Sequence, residues 1–134
     1  MNKKLRKSIY NKTDGKCYYC GNALPKQWQV DHFFPKNKEH WLQSKPMMEE
    51  ASAPKDLEDI NDYRNLVPAC PRCNKWKSVF YVEEFRNEIA EQVKRLIRYS
   101  SQFRMAMDFG LIDINECVEV KFYFERIKDK EVSA

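Results

Sequence analysis

A chain of 134 residues, 43% hydrophobic and 13% aromatic, has the length for one modest core and not for two independent ones. With only three glycines and six prolines it is neither a disordered tail nor a linker-rich or fibrous chain, and no apolar run approaches the ~20 residues that cross a bilayer. The net charge of +4 is unevenly spread. Residues 1–34 carry Lys3, Lys4, Arg6, Lys7, Lys12, Lys16 and Lys26 against Asp14 and Asp31, Arg72, Lys75 and Lys77 surround a cysteine pair, and residues 111–134 hold more acids than bases. A basic face beside an acidic tail is compatible with a polyanionic partner. The basic N-terminus lacks the apolar stretch of a secretory signal, which predicts a cytoplasmic protein with no membrane association.

Along the chain, residues 2–11 read as a short helix with Leu5 and Ile9 four apart on one face. Asp14-Gly15 marks a turn into the knuckle Cys17-Tyr18-Tyr19-Cys20-Gly21. Gln27 to Phe34 fits a strand that Pro35 ends. Residues 35–61 are polar and predict a long surface loop with room for a helical turn. Arg64 to Ala69 fits a second short strand, which Pro68 confines to an edge or an end. Phe85, Ile89, Val93, Leu96 and Ile97 recur at helical steps, with Glu83 and Glu84 at the start, a cap at Tyr81, and Phe80 poised to staple onto Phe85. That helix is expected to run toward Phe109 and stop at Gly110. Val118, Val120, Phe122 and Phe124 alternate with polar residues and predict a half-buried strand.

Four of the five cysteines form two CxxC pairs, Cys17/Cys20 and Cys70/Cys73. Two such knuckles complete a closed tetrahedral zinc site, which has no open position and so stabilises the fold without catalysing. A disulfide framework does not suit a cytoplasmic chain, and a redox CxxC requires a βαβ context that neither pair has. Cys117 lies beside the apolar strand pattern and is expected to be a small buried hydrophobe.

Between the knuckles lies Val30-Asp31-His32-Phe33-Phe34-Pro35, and around the second lies Asn65-Leu66 followed by Cys70-Pro71-Arg72-Cys73-Asn74-Lys75-Trp76-Lys77. In this order the motifs CxxC, DHxxP, NL, CxxCN and K resemble the zinc-containing HNH endonucleases over roughly residues 5–80. The resemblance implies a small ββα-metal core with a four-cysteine zinc site, and with the flanking helices and the C-terminal helix plus strand read from periodicity the expected fold class is α+β. The length predicts one domain over residues 1–134, and residues 81–134, outside the resemblance, read as an extension that offers a surface for a protein partner or a homodimer. The resemblance also implies His32 as general base, Asp31 and Asn74 as ligands of a catalytic divalent cation, Asn65 as the brace that orients the base, and Cys17, Cys20, Cys70 and Cys73 as structural zinc ligands. Lys75 and Lys77, in the basic group with Arg72, then contact phosphate of a DNA substrate.

The chemistry of phosphodiester hydrolysis asks for the same residue types. Histidine takes a proton from water near neutrality, and a divalent cation neutralises charge on the phosphoryl and departing oxygens. Hard oxygen donors from Asp31 and Asn74 favour Mg²⁺ or Mn²⁺. Neighbouring strand residues point to opposite faces, so Asp31 and His32 can share a site only through a bend or bulge, or if His32 reaches it from the strand's end. Residues 36–61 read as an insertion; His40, Asp56, Glu58, Asp59 and Asp62 in or near it are expected to be solvated surface groups rather than a second metal site. The aromatic residues Tyr18, Tyr19, Trp28, Trp41 and Trp76 are expected to pack around the zinc core. The competing function is a non-catalytic, zinc-stabilised nucleic-acid-binding module.

Overall fold

A computed structural model describes residues 1–41, 56–115 and 117–133. Helix α1 (Lys3–Asn11) starts where the Asn2 side chain accepts the Leu5 amide at 2.7 Å. Its Ile9 is buried with Trp28 and Leu66, and Leu5 packs on the same cluster. The expected turn follows, with Asp14 and Gly15 at φ of 52° and 76°. A side chain at Gly15 would collide with the Tyr10 ring.

Strands β1 (Gln29–His32) and β2 (Leu66–Ala69) pair antiparallel in the register Gln29↔Ala69, Val30↔Pro68, Asp31↔Val67 and His32↔Leu66. Among the described residues the sheet has two strands, so both are edges there and Pro68 is tolerated. Helix α2 (Pro71–Lys77) follows β2 directly, capped by Cys70 with Pro71 in its first turn. The fold is thus α+β, and the order strand, strand, helix brings α2 back onto β1.

The segment between the strands contains helical turns, as the sequence allows, and also contributes buried apolar residues. A 3-10 helix spans Lys36–Trp41, and a second one, Tyr63–Asn65, is capped by the Asp62 side chain. Leu57 and Ile60 are buried with Phe34, and Tyr81 packs on them. Two apolar residues in a mostly polar stretch carry no periodicity, so their burial left no pattern to read. The rest of the expected loop, residues 42–55, lies outside the described residues.

After α2, helix α3 (Val82–Ala90) begins with the Tyr81 amide donating to Glu84 Oε1 at 3.0 Å. The long helix expected to follow is instead divided into α3, α4 (Gln92–Tyr99) and α5 (Ser101–Asp108). The α4–α5 break falls at Ser100, whose extended backbone and Oγ cap α5 through the Phe103 amide. Gly110 ends α5 at a φ of 71°. Neither α4 nor α5 buries a residue fully, and Leu96, Met105, Phe109 and Leu111 remain exposed.

The C-terminal alternation does not form a strand. Val118 is exposed, and helix α6 (Tyr123–Ser133) starts where the strand was expected to continue. Phe122, just before α6, and Phe124, in its first turn, both enter the main aromatic cluster with Tyr19, Phe33 and Phe85. Two buried aromatics two residues apart mimic a strand, whereas the Tyr123 and Phe124 amides actually bond to the Tyr19 and Tyr18 carbonyls. Arg86 fastens this end to α3 through Glu125 and the Val120 carbonyl. Cys117 is exposed, contrary to its expected burial, because no strand forms there to cover it.

Candidate functional site

The two knuckles meet. One sulfur from each of Cys17, Cys20, Cys70 and Cys73 lies within 4.8 Å of all the others. A tetrahedral zinc with Zn–S bonds of about 2.3 Å needs sulfurs about 3.8 Å apart, and Cys20 and Cys70 are at 4.0 Å. The first knuckle closes through Gly21 N–H to the Cys17 carbonyl at 3.0 Å. Gly21 has a φ of 77°, and a side chain there would strike Tyr123. The Cys70 and Cys73 amides donate to the Cys17 and Cys70 sulfurs at 3.4 Å each. The contact between the Cys17 and Cys73 sulfurs pushes the Cys17 thiol down to about 4 and, with burial, pushes Cys73 up, while burial above all pushes the Cys20 thiol up. A cation at the centre relieves both upward shifts, so the four cysteines can hold a metal ion such as zinc.

Tyr19, between the first two cysteines, links this cluster to the candidate chemistry. Its hydroxyl donates to Asp31 Oδ2 at 2.5 Å. Lys77 Nζ lies 3.2 Å from the same oxygen and donates to the His32 carbonyl at 3.1 Å. Asp31 is 7% exposed and Lys77 is 0% exposed, so this is a buried ion pair. Oδ2 faces two donors, while Oδ1 has no protein donor among the described residues.

Asp31 and His32 line one cleft of about 430 Å³ together with Pro35, Lys36, Asn37, Ser78 and Val79. The β1–β2 register runs without a bulge to His32, the last residue of the strand, so His32 reaches the cleft from the strand's end. Its Nε2 lies 2.8 Å from Asn61 Oδ1. Ser78, on the cleft wall, has a φ of 47°, a strained value for a residue with a side chain. A second cavity of about 400 Å³ lies against Trp76, Phe85 and Phe122 beside the cysteine cluster, and its walls contain neither Asp31 nor His32.

Asn65 is fully buried and braces the chain beyond His32. It accepts the Phe34 amide at 2.7 Å and donates to the Phe34 and Ile60 carbonyls at 3.1 and 2.9 Å, while its own carbonyl accepts the Phe33 amide. Asn65→Ala strands three buried polar groups, each costing about 1–3 kcal/mol when unmatched. Allowing for relaxation, the variant is expected to lose about 3 kcal/mol in urea unfolding; a loss below about 1 kcal/mol would show that water replaces the amide.

Two expected site residues stand elsewhere. Asn74 Nδ2 donates to Gln29 Oε1 at 2.6 Å, and Asn74 does not line the Asp31–His32 cleft. Gln29 and Asp31 share a face of β1 about 7 Å apart, and Asn74 and Lys77, three apart, share the α2 face against it. Asn74 thereby meets Gln29, and Lys77 meets Asp31. Lys77 is correspondingly buried and not at the surface where a phosphate contact was expected. Arg72 and Lys75 are exposed, as such contacts require. Sequence reasoning missed Lys36, Ser78, Tyr19 and Asn61; only Tyr19 had a signal, its place inside a CxxC. Asp56 and Asp62 pair with Arg64, and the His40 side chain lies outside the described residues. No described helix is long and apolar enough to cross a membrane. No family model, curated protein or solved structure matches the chain.

Proposed function

We propose that this chain is a metal-dependent endonuclease of the zinc-containing HNH type, hydrolysing DNA phosphodiester bonds with His32 activating water. The observation that carries the reading is the meeting of Asp31 and His32 in one cleft at the end of a two-stranded sheet, both fixed from α2 by Lys77. The order β1, β2, α2 and the adjoining four-cysteine cluster support a ββα-metal core around a structural zinc.

In this reading His32 takes the proton of the attacking water. Asp31 offers Oδ1, the oxygen that neither Tyr19 nor Lys77 occupies, to a Mg²⁺ or Mn²⁺ ion. Such an ion supplies charge stabilisation at the phosphoryl oxygens and the departing 3′-oxygen. Hard cations of this kind are commonly held by one or two carboxylates with water and phosphate oxygens completing the shell, so Asp31 suffices while Asn74 stays on Gln29. Lys36 on the cleft wall and the exposed Arg72 and Lys75 give a phosphate backbone its counter-charges.

The test is plasmid cleavage by zinc-loaded protein. Supercoiled DNA is expected to become nicked or linear with Mg²⁺ or Mn²⁺ and to survive in EDTA at a level that leaves the zinc content unchanged. Retention of DNA in a gel shift without cutting under either ion would instead favour a zinc-stabilised binding module.

A further inference from the structure

We propose that Asn61 is a positioning residue that holds the His32 ring in its Nε2–H tautomer and leaves Nδ1 as the basic nitrogen. This rests on the reading of His32 as the general base. A neutral imidazole has one donor and one acceptor nitrogen, and the partner of one decides which is free to take a proton. His32 Nε2 lies 2.8 Å from Asn61 Oδ1, an acceptor that can be satisfied only by an N–H. His32 lines the cleft and Asn61 does not, so the bond is made outside the space a substrate would enter.

Asn61 is at the surface, where water competes for a hydrogen bond, but its backbone is fixed from several sides. Its amide donates to Asp59 Oδ1 at 2.9 Å. The preceding residue, Ile60, is buried and its carbonyl accepts from Asn65 Nδ2 at 2.9 Å. The following residue, Asp62, caps the Tyr63–Asn65 turn. Asn65 grips Phe34, two residues beyond His32, with the same side chain that grips Ile60. One buried amide therefore sets the spacing between the base and its partner. The end of the segment between the strands, whose Leu57 and Ile60 pack on Phe34, thereby also orients the base.

The experiment is long-range ¹H–¹⁵N correlation of the two histidines in the zinc-loaded full chain at alkaline pH, where imidazole is neutral. A His40→Gln variant assigns the His32 signals. Wild type is expected to show His32 as the Nε2–H tautomer. Asn61→Leu, which removes the acceptor, is expected to give a mixed pattern, and Asn61→Asp, which keeps one, to restore Nε2–H. In cleavage assays Asn61→Leu lowers kcat about tenfold with KM little changed, and Asn61→Asp recovers most of it. An Nδ1–H tautomer in wild type, or an unaltered pattern in Asn61→Leu, overturns the proposal. Absence of cleavage by wild type overturns the nuclease reading alone, since the tautomer is read from the ring itself.

Discussion

Cys17→Ser yields a chain that retains no zinc and does not fold cooperatively. Cys17 is fully buried, and its sulfur accepts the Cys70 amide that opens α2. Loss of that sulfur therefore separates the first knuckle from the helix that carries Lys77 and, through it, from Asp31 and His32. Structural zinc in comparable cysteine sites contributes apparent binding free energies of about 10–16 kcal/mol near neutral pH. Whole-domain stability is only about 5–15 kcal/mol, so the site and the fold are lost together. Circular dichroism with zinc quantitation checks this, and chelation of the wild type is expected to reproduce it. A variant with native ellipticity and an unchanged melting temperature would show that the cysteines are dispensable for folding.

Lys77→Met costs about 3–5 kcal/mol, because it leaves the buried Asp31 carboxylate with Tyr19 as its sole donor at Oδ2 among the described residues. It also frees the His32 carbonyl, so the end of β1 loosens where the base sits. The pair is coupled: Lys77→Met combined with Asp31→Asn is expected to cost clearly less than the two single losses added, since neither half is then left as a lone buried charge. Urea unfolding of the four proteins measures the cycle. A Lys77→Met loss under about 1 kcal/mol, the range of exposed pairs, would mean that the ammonium reaches solvent, where the phosphate contact expected from the sequence would become available to it.

Local signals in the sequence place several features directly. The turn at Asp14-Gly15, the cap at Tyr81, the stop at Gly110 and the pairing of two CxxC knuckles each depend on a few adjacent residues whose chemistry admits few alternatives. The sequence leaves two geometries open for His32, a bend or bulge and a place at the strand's end, and Pro35, which ends the predicted strand after Phe34, does not choose between them. Features set by tertiary packing were not legible. Which of Asn74 and Lys77 meets Asp31 depends on how far α2 is shifted along β1, and no periodicity encodes that shift. The alternation from Val118 to Phe124 looked like a strand because burial of Phe122 and Phe124 has the same two-residue spacing, although no partner strand exists for it among the described residues. Asn61 gave no signal at all, since its importance arises only when Asn65 draws Ile60 toward Phe34.

The central claim is that His32 does the chemistry, and single-turnover plasmid cleavage by wild type and His32→Ala tests it most directly, with zinc content and DNA retention matched beforehand. A lost general base predicts a fall of about 10²–10⁴-fold in the cleavage rate, with the fold intact because His32 sits at the strand's end and is not part of the buried core. Cleavage by His32→Ala at a rate comparable to wild type would contradict the assignment of the base, and with it the proposed mechanism.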